Sequence, residues 1–175
     1  MSIGNEFLNS SLKHLQYYKD LGNRSFNQLK DTDFYFTPDK FSNSIATIIR
    51  HMSGNMLSRW TDFLTTDGEK EWRNRDTEFE TSNLTTSELL ELWENGWSCC
   101  LNSIKNLKED DLLKTIHIRK EPLIIIDAIN RQLSHLPYHV GQIIYIAKII
   151  NADKWESVKF HKVVYDNLIA KIKLY

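Results

Sequence analysis

The sequence predicts an all-α protein built as a four-helix bundle. Four stretches carry apolar residues at every third or fourth position, which is the spacing of one buried helix face. The chain holds only 6 glycines and 3 prolines, too few for the turns of a β-sandwich or barrel. Its 175 residues suit one compact core, so we treat 1–175 as a single domain. Each amphipathic stretch must bury its apolar face against another, and a bundle follows.

The first two predicted helices cover residues 4–30 and 40–65. In the first, these apolar residues keep the helical spacing: Phe7, Leu8, Leu12, Leu15, Tyr18 and Leu21. The second follows Pro38 and Asp39, which we interpret as helix start signals. Its predicted inward residues are Phe41, Ile45, Ile48, Met52, Met56, Trp60 and Phe63.

The third and fourth predicted helices cover residues 86–108 and 122–150. Thr85 and Glu88 have the pattern of a capping box, in which each side chain binds a free amide at the helix start. Pro122 suits the first turn of the fourth helix because its missing N–H has no intrahelical partner there. The predicted inward residues of this helix are Ile124, Ala128, Gln132, His135, His139, Gln142, Ile146 and Ile149.

Three segments outside the four helices complete the predicted architecture. Residues 114–119 alternate with a period of two, which predicts a short strand. Residues 155–175 are less regular, and we interpret them as a short C-terminal helix. Residues 65–85 link helices two and three, and about twenty residues can cross a whole bundle at about 3.3 Å per residue. We therefore predict an up-down-down-up topology with a long crossover that lets helices two and three run parallel.

The net charge argues against certain binding partners, and the cysteine content indicates the cell compartment. Lys+Arg 22 against Asp+Glu 23 gives a formal net charge of −1, which provides no overall attraction to nucleic acid or to an anionic membrane. The adjacent Cys99 and Cys100 suit neither a disulfide framework nor a CxxC pair. The first residues lack the apolar segment of a signal peptide, and no stretch approaches the roughly 18 apolar residues of a spanning helix. We expect a cytoplasmic protein that binds neither nucleic acid nor membrane.

Two histidines lie on the predicted core face of the fourth helix. His135 and His139 are four residues apart, so their Cβ atoms lie about 5–6 Å from each other. A buried polar group without a partner costs about 1–3 kcal/mol, and one metal ion would satisfy both rings. His51, at the edge of the buried face of helix two, is the best-placed third ligand. The alternative is that these histidines are buried and hydrogen-bonded to backbone or water.

Three histidines without a fourth protein ligand describe an open site of the catalytic kind. Imidazole suits zinc, nickel, copper or iron, and we expect a divalent ion, zinc or nickel. The sequence contains no Glu-x-x-His and no His-Glu-x-x-His, and no acidic residue lies beside the histidines, so no dedicated protein base is evident. We interpret the remaining histidines as solvated or structural: His14, His117 and His161.

Further residues are candidates for contacts to the ligands or to a substrate: Asn55, Arg59, Gln142, Arg73 and Arg75. Gln142 shares a helix face with His135 and is able to orient a bound water or a ring N–H. Arg59 lies two turns after His51. It has two open interpretations, a structural ion pair or a contact to a substrate carboxylate.

The crossover segment Asp67–Glu80 alternates its charges. The residues concerned are Arg73, Arg75, Asp76, Glu78 and Glu80. We favour an ion-pair network that fastens the crossover to the bundle. The alternative is that Arg73 or Arg75 reaches the mouth of the metal site and binds a substrate carboxylate through its planar guanidinium.

Two separated motifs carry a family resemblance. The first motif is His135-Leu-Pro-Tyr-His139-Val-Gly141-Gln142-Ile143, and a histidine lies far upstream of it. The other runs from His51 to Glu80 and includes Gly54-Asn55, Ser58-Arg59-Trp60, Asp67-Gly68-Glu69-Lys70 and Trp72-Arg73-Asn74-Arg75-Asp76. Both resemble the DinB/YfiT-like superfamily, and within it the DUF1572-type branch, over about residues 1–155.

The resemblance implies a fold and a metal site. It implies an up-down-down-up four-helix bundle, often dimeric, with one divalent metal held by three histidines. Matched residue by residue, those ligands are His51, His135 and His139. Relatives in the superfamily include bacillithiol S-transferases and a mycothiol-dependent isomerase, which use low-molecular-weight thiols. The branch itself has no settled activity, so the resemblance implies the site more directly than a reaction.

Two functions follow as expectations. The first is a metal-dependent enzyme with a small-molecule substrate, in which the ion activates a low-molecular-weight thiol, as in an S-transferase, or water, as in a hydrolase. The second is a non-catalytic bundle, stress-related and homodimeric, whose metal site is structural or vestigial.

Overall fold

The computed structural model describes residues 2–158, most of which are helical. The long helices are α1 Ile3–Phe26, α2 Ile45–Trp60, α3 Thr86–Lys105 and α4 Ile125–Asn151. A hairpin of β1 Thr115–Ile118 and β2 Glu121–Ile124 precedes α4, and short 3-10 turns cover Asp31–Tyr35, Asp76–Phe79, Glu109–Asp111 and Ala152–Lys154. The predicted all-α bundle is confirmed, with one small hairpin added to it.

The helices α2 and α3 run parallel. Ser53 Oγ donates a hydrogen bond to the carbonyl of Leu92 at 2.7 Å, early in both helices. Ser103 Oγ donates to the carbonyl of Trp60 at 3.0 Å, late in both helices. The residue numbers rise together along the contact, so the two helices have the same direction.

The helix α1 runs antiparallel to α3. Near the start of α1, the Gly4 N–H donates to Glu109, which follows the end of α3. Near the end of α1, Asn23 Oδ1 accepts a 2.7 Å hydrogen bond from Trp93 Nε1, early in α3.

The helix α4 runs antiparallel to α2. Gln132 of α4 lies 3.4 Å from Asn55 of α2, whereas His135, later in α4, meets His51, earlier in α2. Together the helix directions give the predicted up-down-down-up order. The long crossover therefore joins two parallel helices.

The four helices share an apolar core. Within it, α2 and α3 pack most closely against each other. Trp93 and Trp97 of α3 are buried, and so is Trp60 of α2, which was predicted to point inward. A Cβ added at Gly96 of α3 would lie only 2.9 Å from Ser53 Cα. The glycine therefore lets the two helix backbones approach each other.

The predicted start of helix two is wrong by about one turn. The helix begins at Ile45, and Ser44 Oγ caps it by accepting from the Thr47 N–H. Asp39 instead closes a local turn, because its carboxylate accepts hydrogen bonds from the Phe41 N–H and from a serine hydroxyl. Phe41, predicted to point inward, is 87% exposed as a result.

The predicted start of helix four is wrong as well. Pro122 lies in β2, opposite His117 in the antiparallel register, and α4 begins only at Ile125. The strand predicted over 114–119 is present as β1, but its partner strand was not foreseen. The buried face of α4 is also rotated from the predicted one, because it includes Leu136, Val140, Ile143 and Ala147, whereas Ile149 is exposed.

The crossover is fastened to the hairpin through Asp67. Its carboxylate accepts hydrogen bonds from the backbone N–H groups of Arg119 at 2.8 Å and Lys120 at 2.7 Å. These two turn residues have φ of 58° and 65°, as a two-residue type I′ hairpin requires. The Gly68 N–H also donates to the His117 carbonyl at 2.8 Å. The hairpin thus holds the first part of the crossover in place.

The chain after α4 contains one short turn, Ala152–Lys154, and residues 155–158 are not helical. The rest of the predicted C-terminal helix lies outside the described residues. Within 2–158, none of the helices combines the length and the apolar character needed to cross a bilayer.

Two glycine substitutions test the close packing of α2 and α3. Gly96→Ala places a methyl group about 2.9 Å from Ser53 Cα, so we expect a net loss of about 1–2 kcal/mol in the free energy of unfolding, despite alanine's better helix propensity. Gly141→Ala on α4 meets no atom within 4 Å, so it should gain about 0.5–1 kcal/mol. Urea unfolding followed by circular dichroism measures both. A stabilised Gly96→Ala variant would contradict the close approach.

Candidate metal centre

Three histidine rings from two helices meet at one point. His51 of α2 is buried, and His135 and His139 of α4 are partly buried. Nε2 of His135 lies 3.3 Å from Nε2 of His51 and 3.1 Å from Nε2 of His139. One nitrogen from each ring lies within 4.8 Å of the others. The spacing of four residues along α4 and the antiparallel crossing with α2 produce this convergence.

The outer nitrogens of two rings have partners that fix their protons. Nδ1 of His51 lies 2.9 Å from a carboxylate oxygen of Glu78, and Nδ1 of His139 lies 2.8 Å from Oε1 of Gln142. Both partners are acceptors, so each Nδ1 is the donor, and in the neutral ring Nε2 keeps its lone pair. The lone pairs of His51 and His139 therefore point at the same place, where a cation would satisfy them.

His135 completes the arrangement. Its Nδ1 is buried and has no hydrogen-bond partner among residues 2–158. Burial, followed by the neighbouring rings of His139 and His51, lowers the pKa of His135 to about 4. Burial also lowers the pKa of His139, although its hydrogen bond with Gln142 acts in the opposite direction. Both rings are neutral at pH 7, which is the form that binds metals.

Glu78 anchors His51 from the crossover. Its carboxylate accepts hydrogen bonds from Nε of Arg73 at 2.8 Å and Nη2 at 3.0 Å, in addition to the contact with His51. Burial raises the pKa of Glu78, but the hydrogen bonds from His51 and Arg73 outweigh burial and hold the pKa below its usual value. Arg50 of α2 donates to the carbonyls of Thr77 and Glu80, so the turn that carries Glu78 is held on α2.

A cavity of about 370 Å³ adjoins the histidines and includes His51 and His135 in its wall. Asn55 of α2 and Gln132 of α4 lie in the same wall and contact each other across the two helices. His51 and His135 therefore border a space large enough for a small molecule.

The predicted arginines also reach this cavity. Arg59 donates to Glu69 at 3.0 Å and to the Gly68 carbonyl, so it fastens the crossover to α2 while it lines the cavity. Arg73 is committed to Glu78. Arg75 lies over the Phe79 ring, with its guanidinium carbon 5.5 Å from the ring centre. Arg59 and Arg73 therefore each form an ion pair and also line the cavity. The predicted ion-pair network is wrong for Arg75, Asp76 and Glu80, which form no ion pair among residues 2–158.

A comparison with protein families agrees with the motifs. The family described as protein of unknown function (DUF1572) matches residues 2–163, nearly the whole chain. The chain belongs to the DUF1572 family. No curated protein was found to match it. For this DUF1572 protein the three histidines therefore have to be interpreted from their own geometry.

The predicted site residues of the DUF1572 protein are brought together around the histidines and the cavity. Gln142 contacts His139, Asn55 lines the cavity, and His51 and His135 lie in the cavity wall. The two other described histidines, His14 and His117, are exposed, and His161 lies outside the described residues.

Sequence reasoning missed three residues of the site. Glu78 was expected only in the loop network, because nothing in the local sequence links it to a histidine 27 positions earlier. Gln132 was predicted to point inward, and a polar residue on a core face was a usable signal. Arg131 precedes His135 by four residues, a spacing that places both on one helix face.

Removing the Glu78 carboxylate tests its anchoring role. Glu78→Ala leaves the Arg73 guanidinium, only 3% exposed, without its partner, so we expect a loss of about 3 kcal/mol in the free energy of unfolding. Glu80→Ala is the matched control, since the side chain of Glu80 is exposed and makes no hydrogen bond among the described residues. It should change stability by less than about 0.5 kcal/mol. Denaturant unfolding in the presence of a chelator measures both, and equal effects would contradict the buried pair.

Proposed function

We propose that His51, His135 and His139 hold one divalent transition metal ion, zinc or nickel, and that this DUF1572 protein is a metal-dependent enzyme. Its reaction would be the activation of a low-molecular-weight thiol, as in an S-transferase, or of water, as in a hydrolase. The observation that carries the proposal is the convergence of three ring nitrogens from two helices beside a cavity whose wall includes His51 and His135.

The donor set fits such an ion. Three neutral nitrogen ligands are typical of catalytic zinc sites, in which the fourth position belongs to water or substrate. The outer nitrogens of His51 and His139 are bound by Glu78 and Gln142, as the orientation of metal-bound imidazoles usually requires. The unpartnered Nδ1 of His135 is the exception within the described residues.

The chain's own residues position the reactants. When bound, the ion lowers the pKa of a thiol or a water molecule and so supplies the nucleophile. Glu78 orients His51 and is a poor candidate for a general base, because both of its oxygens already accept hydrogen bonds. Asn55 and Gln132 present amide groups to the cavity, where they are placed to bind a polar part of the substrate.

The second function is a non-catalytic, stress-related homodimeric bundle whose metal site is structural or vestigial, and one observation favours a vestigial site. The Nε2 atoms of His135 and its two neighbours lie 3.1 and 3.3 Å apart, which is also hydrogen-bond distance. A neutral His135 can donate its Nε2 proton to the lone pairs of the other two rings without an ion. Metal content and chelation separate the two functions.

Metal content is the direct test. Protein purified without a histidine tag and loaded with zinc or nickel should retain about one equivalent after dialysis, measured by elemental analysis. His51→Ala and His139→Ala each remove a ligand and should lose it. His14→Ala, which changes an exposed histidine on α1, should retain it. Metal-replete wild-type protein without bound metal would refute the centre.

Chelation separates a catalytic ion from a structural one. A structural ion contributes folding free energy, so its removal should lower the melting temperature greatly, whereas a catalytic ion in this well-packed bundle should affect turnover first. We expect removal of the metal to abolish thiol transfer to a chromogenic electrophile, or ester hydrolysis, with a small change in melting temperature. Restoring the metal should restore turnover. Turnover that survives in metal-free His139→Ala would exclude this mechanism.

A further inference from the structure

The cavity beside the histidines has a strongly basic wall. Five arginines line it, and no aspartate or glutamate does so within the described part of the chain. Three of these arginines are paired with carboxylates: Arg59 and Arg119 share Glu69, and Arg73 donates to Glu78. These three mainly hold the crossover to the bundle and the hairpin.

The other two arginines, Arg75 and Arg131, have a different environment. Neither forms an ion pair with any carboxylate in residues 2–158, and both are exposed at the cavity wall. Two guanidinium groups without ion pairs at one cavity attract anions, and a partly enclosed cleft strengthens that attraction. Their planar donors match the two oxygens of a carboxylate or a phosphate.

The positions of both arginines relate them to the histidines. Arg131 lies four residues before His135 on α4, so the two side chains share one helix face. Arg75 lies over the Phe79 ring, and that ring lies 5.1 Å from the His51 ring, centre to centre. The cation–π contact holds Arg75 near the cavity without neutralising its charge.

The rest of the cavity limits what the anion can be. Trp60, Phe63 and Ile116 contribute apolar surface, and Asn55 and Gln132 contribute amides. A volume of about 370 Å³ is at the low end for small-molecule sites. A compact organic molecule with an apolar body and one terminal oxyanion fits this combination.

We propose that the cavity binds a small organic anion, whose carboxylate or phosphate accepts hydrogen bonds from Arg75 and Arg131 while its other end faces the histidines. We take this anion to be the substrate of the proposed enzyme, and only that role rests on the proposed function. The anion site itself does not need the metal, so the two can be tested separately.

The test compares matched probes on metal-free protein. Benzoate, phenyl phosphate and neutral benzamide share one ring and differ in the group offered to the arginines. Isothermal titration or NMR titration at pH 8, where free imidazoles are neutral, measures their affinities for the chelator-treated protein. We expect benzoate or phenyl phosphate to bind at least about 10-fold tighter than benzamide, and the stronger of the two identifies the preferred oxyanion.

Substitutions assign the binding to the two arginines. Arg75→Gln and Arg131→Gln should each weaken the binding of the preferred anion about 10-fold while the circular dichroism spectrum stays unchanged, because both side chains are exposed. Arg24→Gln, at an exposed position of α1, should leave the affinity as in wild type. Equal affinity for benzamide, or full affinity in either cavity variant, would overturn the proposal. Failure of metal binding by wild-type protein would overturn the proposed function and leave this result in place.

Discussion

The hydrogen bond between Glu78 and His51 joins the long crossover to the bundle, and the geometry of the candidate centre depends on it. The carboxylate receives Arg73 on one side and the ring on the other, so the crossover turn, the arginine and the imidazole form one connected unit. A carboxylate this buried is stable only because both partners bind it. The same contact places the His51 proton on Nδ1 and directs Nε2 at the α4 histidines. The crossover is therefore part of the site.

The antiparallel crossing of α2 and α4 gives the site a second property. Histidine rings, which offer lone pairs, lie at one end of it, and positively charged arginines lie at the other. Along α2 the order is His51, Asn55 and Arg59, at intervals of four residues, and along α4 it is His139, His135 and Arg131. Intervals of four keep each set on one helix face. Since the helices are antiparallel, both sets run from the histidines toward the arginines in the same spatial direction. His51 and His135 thus lie toward one end of the cavity, and Arg59 and Arg131 lie toward the other.

The sequence predicted the elements whose signals are local or periodic. The helical spacing identified all four helices, and the crossover length gave the parallel α2 and α3. The helix starts were less predictable, because Asp39 suits a turn and Pro122 suits a strand as well as each suits a helix start. Local hydrogen bonds close the turn at Asp39, whereas pairing with β1 places Pro122 in a strand. The histidine pair was visible from its spacing on α4. Glu78 was not, since its contact with His51 depends on how the crossover folds back over α2.

The charge of an ion at the histidines would affect binding at both ends of the cavity. Three neutral imidazoles contribute no negative charge, so a divalent ion held by them would keep its full charge of +2. Glu78 offsets part of this charge through His51, but its carboxylate is shared with Arg73. At an effective dielectric constant of about 20, two unit charges 4 Å apart interact by about 4 kcal/mol, so a further cation would be repelled and an anion attracted. The same field would favour a thiolate or hydroxide at the histidine end and an oxyanion at the arginine end. The ion would therefore reinforce an attraction for anions that the arginines already provide without it.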